Sequence, residues 1–71
     1  MNSTPIINQV YKHYKCNYYQ VVFICKHSDT LETMIVYKNV DKPECNWVRP
    51  LSEFISEVEI NGEMIKRFTK C

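Results

Sequence analysis

Residues 9–14 (QVYKHY) place Val10, Lys12 and Tyr14 on one side and Tyr11 and His13 on the other, the two-residue period of a short strand. Lys15, Cys16 and Asn17 read as a turn. Residues 18–26 (YYQVVFICK) are rich in aromatic and β-branched side chains and give the strongest strand signal in the chain. Their near-continuous apolar run predicts a strand covered on both faces, as in a tightly curled sheet. A polar loop over residues 27–32 (HSDTLE) leads to a third strand, residues 33–39 (TMIVYKN). Asp41, Lys42 and Pro43 break the pattern, and the loop runs on to Asn46. Residues 47–49 (WVR) form a short strand stopped by Pro50, with Val48 inward and Trp47 and Arg49 together on the other side. Residues 51–55 (LSEFI) suit one helical or 3-10 turn that turns Leu51, Phe54 and Ile55 inward.

The last element is a hairpin, Glu57 to Ile60 and Glu63 to Phe68, joined by Asn61-Gly62. Both turn residues tolerate positive φ, so this dipeptide between strand-like runs is a strong hairpin signal. A two-residue turn fixes the register. Ile60 faces Glu63, Glu59 faces Met64, Val58 faces Ile65 and Glu57 faces Lys66. Val58 and Ile65 then share the buried face, and Glu57 and Lys66 can pair on the other. Residues 1–8 (MNSTPIIN) read as a flexible N-terminal arm, and residues 9–71 as one domain. Five or six short strands with one helical turn predict an all-β fold. A small closed or half-closed barrel fits best, because closure removes sheet edges that would otherwise aggregate.

Size narrows the possibilities. A chain of 71 residues is one domain at most, and a domain this small buries only about 60% of its unfolded surface. With 45% hydrophobic residues a core is attainable but thin, so help from a ligand or a second copy is expected. Nine basic against eight acidic residues leave a net charge of +1, which argues against a nucleic-acid footprint. No leader or membrane-spanning run is evident, so a cytoplasmic location and no membrane partner are expected. Cys16, Cys25, Cys45 and Cys71 are then expected as reduced thiols.

The segments YKHYKCNYYQV, KHSDTLETMIVYK, WVRPLSEF and EVEINGEMIKRF, in that order, resemble a family of short bacterial and phage proteins known as domain of unknown function 1653. The resemblance covers about residues 9–68. It implies a small SH3-like barrel and carries no activity. Family members tend to have Gly where Cys16 stands, which costs backbone freedom if φ is positive there. They also differ over residues 40–46.

The candidate chemistry gathers in a polar and aromatic set: Tyr11, His13, His27, Ser28, Thr30, Tyr37, Trp47 and Arg49. Aromatic faces stack on planar groups, and Arg forks onto a carboxylate or phosphate. Ser28 and Thr30 lie in a turn whose hydroxyls and backbone N–H groups could meet an anion. A small-ligand site would bring Arg49, His13 and Ser28 around one pocket. The plainer alternative puts Tyr37 and Trp47 in the core, uses Ser28 and Asp29 to close a turn, and pairs Arg49 with a glutamate.

Zinc fits poorly. His13 and Cys16, with Cys25 and His27, lack knuckle-like spacing, so no metal or cofactor is expected. His27, Ser28 and Asp29 are adjacent, yet on an extended chain Ser28 points away from its neighbours. Cys25 or Cys45 with a histidine would need a water-excluding cleft that a chain this short scarcely provides. Tyr18, Tyr19 and Phe23 interleave with Lys15 and Lys26 in the manner of a stacking platform, but the balanced charge argues against it. The sequence therefore predicts a non-enzymatic binding module for a small anionic or nucleotide-like ligand. If the chain is of phage origin, that ligand would be a host signalling nucleotide. The alternative is a protein-interaction adaptor with an aromatic groove. A homo-oligomer is compatible with either.

Overall fold

The strand signals become seven strands and one helical turn in the computed structural model, which describes residues 4–71. The strands are β1 (Val10–His13), β2 (Tyr18–Lys26), β3 (Thr33–Asn39), β4 (Asn46–Pro50), β5 (Glu57–Ile60), β6 (Glu63–Lys66) and β7 (Phe68–Lys70), with α1 (Leu51–Phe54) between β4 and β5. The fold is all-β with one short helix. A five-stranded antiparallel sheet runs β4-β3-β2-β1-β7, and β5-β6 form a separate two-stranded hairpin. The hydrogen-bonded ladder ends at β4 and at β7.

Seven strands rather than five or six arise from one residue. Arg67 interrupts the run expected to continue to Phe68, so β6 stays with β5 while β7 crosses to pair with β1. Its backbone serves both sides: the Arg67 N–H donates to the Ser56 carbonyl, and the Arg67 carbonyl accepts from the Tyr14 N–H. The hairpin register matches the sequence expectation at all four pairs. Asn61 and Gly62 sit at φ of 53° and 83°, the left-handed pair that such a turn requires.

β2 holds a bulge. Val21 faces Tyr37 and Phe23 faces Val36, which leaves Val22 as an extra residue. The insertion lets Val21 and Ile24, three positions apart, both turn to the core. That core is Tyr11, Val21, Ile35, Tyr37, Phe54 and Phe68, with Tyr19, Ile24 and Leu51 packed against it. Phe54 and Phe68 stack at 4.0 Å between ring centroids and 5° between planes. Tyr11 meets Phe54 edge-on at 5.4 Å, and Tyr37 meets both phenylalanines at 5.6 and 5.5 Å.

Burial departs from the sequence expectation on the opposite face. Phe23, Val36 and Val48 lie in register across β2, β3 and β4, pointing away from Ile35 and Tyr37. Phe23 and Val48 are each 58% exposed, so β2 is covered on one face only and Val48 is not inward. α1 is too short to cover both sides, and it lies toward the Tyr37 face through Phe54. Ile55, expected inward, falls after the helical turn and is exposed.

Of the expected N-terminal arm, residues 1–3 lie outside the described residues. Residues 4–8 are tied to the sheet: Pro5 is buried, the Ile6 N–H donates to the Tyr11 hydroxyl, and the Asn8 N–H donates to the Val21 carbonyl. Cys16 has φ of 73°, a left-handed conformation that costs a residue with a side chain more than it costs glycine. Among the described residues no helix is long and apolar enough to cross a membrane.

Two substitutions test this architecture. Nothing lies within 4 Å of a Cβ built at Gly62, so Gly62→Val adds backbone strain without a clash. It should lower stability by about 1 kcal/mol or more in urea denaturation. Phe54→Ala empties one side of the aromatic stack and should cost about 3–5 kcal/mol, enough to leave the chain largely unfolded at 25 °C. Retention of a cooperative transition near the wild-type midpoint would remove the stack from its central place.

Candidate functional site

The period of β1 puts His13 on the same side as Tyr11, and the β1–β7 register sets it opposite Phe68. Its imidazole lies 4.5 Å from the Tyr14 ring, 4.9 Å from Phe68 and 6.0 Å from Tyr19. His13 Nδ1 accepts a hydrogen bond from the Lys15 N–H at 3.2 Å, which assigns the proton of the neutral ring to Nε2.

Arg49 reaches the same aromatic cluster from β4. Its guanidinium lies 6.0 Å from the Phe68 ring centroid, within cation–π range. Nε donates to the Tyr37 hydroxyl at 3.2 Å, and Nη1 donates to Glu53 Oε1 at 3.2 Å. The ion pair with Glu53 spans one turn of exposed chain and contributes about 0–1 kcal/mol. Burial opposes the charge on Arg49. The Tyr37 hydrogen bond and the Glu53 carboxylate outweigh it, so the guanidinium pKa rises.

Arg67 immediately precedes Phe68 in the chain. Its Nε donates to Ser56 Oγ at 3.1 Å, and Ser56 donates in turn to the Glu53 carbonyl at 2.6 Å. Sequence reasoning missed this residue, because a hairpin strand running through to Phe68 makes Arg67 one more solvated side chain. Its one signal was its place beside Phe68. Partial burial, and then the charges of Arg49, Arg67 and Lys15, hold the His13 imidazole below its ordinary pKa. A cavity of about 220 Å³ opens beside this cluster, between Lys12, His13 and Cys16 on one side and Ile65, Lys66 and Thr69 on the other.

The eight residues singled out from the sequence do not form one pocket. His13, Tyr37 and Arg49 come together around Phe68. Tyr11 and Tyr37 are core residues whose hydroxyls accept from the Ile6 N–H and from Arg49. Trp47 shares the side of Arg49, as strand alternation requires, but lies on an edge strand and is 51% exposed rather than core. Its Nε1 donates to Asn39 Oδ1 at 2.6 Å.

His27, Ser28 and Thr30 stand at the far end of β2, whose nine residues separate them from the His13 end by roughly 25 Å. They cannot join His13 and Arg49 around a ligand. Their groups close a turn instead: His27 Nδ1 accepts from the Asp29 and Thr30 N–H groups, and Thr30 Oγ1 accepts from the Glu32 N–H. Among the described residues no three His, Cys, Asp or Glu side chains gather as a metal site.

The depressed pKa of His13 makes stability depend on pH with a defined sign. The folded state resists protonation, so above the unfolded value of about 6.5 this contribution is fully present. As pH falls below that value the unfolded chain binds the proton first, and stability declines until pH passes the folded pKa. The melting temperature of the wild type should therefore fall more steeply as pH drops below about 6.5 than that of His13→Gln. Parallel profiles for the two proteins would contradict the burial and charge environment of His13.

A family model described as "Protein of unknown function (DUF1653)" matches residues 9–70. Searches of the curated proteins and of the solved structures give no match. The match spans nearly the whole chain, from the start of β1 to the end of β7, and the chain belongs to the DUF1653 family.

Proposed function

We propose that this chain is a non-enzymatic, cytoplasmic binding module that holds a small anionic, nucleotide-like ligand. The observation that carries the reading is the meeting of His13 and Arg49 at the Phe68 ring. Cationic forks beside ring faces suit a phosphate attached to a planar group. Arg49 is already oriented by Tyr37 and Glu53, so less side-chain entropy is lost when it binds. The neutral imidazole of His13 can donate from Nε2 to an anion. A free small molecule fits better than a polymer, because the net charge of +1 gives little purchase on a long phosphate backbone. If the chain comes from a phage, sequestration of a host signalling nucleotide follows from the same chemistry.

The second reading is a protein-interaction adaptor. Its support is the exposure of Phe23, Val48 and Trp47, which a module without a partner would ordinarily cover.

Arg49→Lys separates the site from plain structure. Lysine keeps the charge and can still pair with Glu53, but it loses the fork geometry and the bond from Nε to Tyr37. The stability cost should stay near 1 kcal/mol, the net worth of one hydrogen bond. A thermal-shift panel of nucleotides and phosphorylated metabolites should contain a compound that raises the wild-type melting temperature. Arg49→Lys should abolish that rise, and Lys26→Gln at the far end of β2 should keep it. If no compound in the panel stabilises the wild type, the small-ligand reading fails and the adaptor reading takes its place.

A further inference from the structure

β4 is an open edge of the five-stranded sheet, and its outward backbone groups can be identified residue by residue. The Asn39 N–H donates to the Cys45 carbonyl at 3.2 Å, so Cys45 turns its carbonyl toward β3. Backbone groups alternate sides along a strand. Those of Trp47 and Arg49, in register with Tyr37 and Ile35, therefore point to β3 as well. Those of Asn46, Val48 and Pro50 point away from the sheet. Pro50 agrees with this, because its missing N–H falls on the open side, where no ladder bond is lost. Among the described residues β4 pairs with β3 alone, and the backbone groups of Asn46 and Val48 have no hydrogen-bond partner.

The edge also lacks the usual guards against strand addition. It is five residues long, its register with β3 runs without a bulge, and it holds no lysine. Trp47 and Val48 are 51% and 58% exposed, one on each side of the strand. β7, the opposite edge, has only three residues and ends in Lys70.

We propose that β4 pairs with β4 of a second copy of this chain, the two strands running antiparallel about a two-fold axis through Val48. In this register Val48 faces itself, Trp47 faces Arg49 of the second copy, and Asn46 faces Pro50 of the second copy. Two main-chain bonds at Val48, and one from each Asn46 N–H to the opposite Pro50 carbonyl, join the strands with no donor asked of proline. Both faces of the seam match. On the outer face Val48 packs on Val48, and the Phe23, Val36 and Val48 rows of the two copies join into one apolar row. On the other face each Trp47 indole lies opposite an Arg49 guanidinium, a cation–π pairing. Sliding the strands to bring Trp47 opposite itself sets Val48 against Asn46 and breaks both matches. The contact is isologous, so it closes at two copies. A seam of five residues per copy is well short of the roughly 20–30 residues of a standard interface, which makes this a weak dimer. The inference is separate from the ligand proposal, and no variant in its test alters His13 or Arg49.

The test is sedimentation equilibrium of the full chain under reducing conditions, which keep Cys71 from cross-linking copies. The wild type should form a dimer that dissociates on dilution; a wild type that stays monomeric up to about 1 mM overturns the proposal. Val48→Pro removes an outward N–H and should weaken association at least about tenfold. Val48→Glu and Val48→Lys should each do the same, because like charges are then set face to face. Mixed in equal amounts, these two variants should associate more strongly than either alone, because opposite charges then meet at the seam. Val48 is exposed, so circular dichroism should be unchanged in all three. If Val48→Pro loses its strand signal, the charge pair carries the test. Phe23→Ser, on the outer face two strands away, should leave the dimer intact. A dimer weakened by Phe23→Ser overturns the proposal, since the sheet faces would then be what stack. So does a mixture of Val48→Glu and Val48→Lys that gains nothing over the single variants, since another register or surface would then join the copies.

Discussion

Everything inside this protein is arranged around two phenylalanine rings lying parallel, Phe54 from the single helical turn and Phe68 from the last strand. Neither element could stand alone. A four-residue helix is far below the length at which helices persist in water, and a three-residue edge strand has one neighbour to hold it. Each becomes fixed because the other supplies the ring it packs on. Tyr11, Tyr19 and Tyr37 then close the sides edge-on, an arrangement favoured by the charge distribution of aromatic rings. A sheet this short has little aliphatic volume to offer, and aromatic side chains bury the most surface per residue.

The same stack explains where the cations sit. Phe68 presents its edge and face to His13 and Arg49, so both are held by a core residue rather than by loops. Tyr37 belongs to both layers, with its ring in the core and its hydroxyl on the Arg49 guanidinium. Core and site share side chains, which makes the site rigid. Perturbing it also reaches the packing, so substitutions that keep shape inform more than truncations.

Much of the fold was legible in the sequence, and the reasons are local. The Asn61-Gly62 turn dictated a register that holds pair by pair, because two left-handed residues in succession allow little else. β2 and β3 stood out through their β-branched and aromatic content, and Pro50 marked the end of β4. What failed depended on distant contacts. Val22 hid a bulge that shifts which side chains point inward, and alternation counted along the strand cannot detect it. Arg67 broke a strand for the sake of a partner, β1, more than fifty residues earlier in the chain. The site was half legible: His13, Tyr37 and Arg49 meet, whereas the His27–Thr30 turn lies at the other end of β2. Sequence carried their chemistry but not the length of strand that parts them.

The place of β7 in the chain has a consequence for how this protein is made. A ribosome delivers β1 first and β7 after every other element, yet these two strands are neighbours in the sheet. Until β7 emerges, Phe54 lacks the ring it stacks on, β1 keeps one edge open, and His13 and Arg49 lack the Phe68 ring they share. Five of the six core residues precede β7, and Phe68 is the one that completes their cluster.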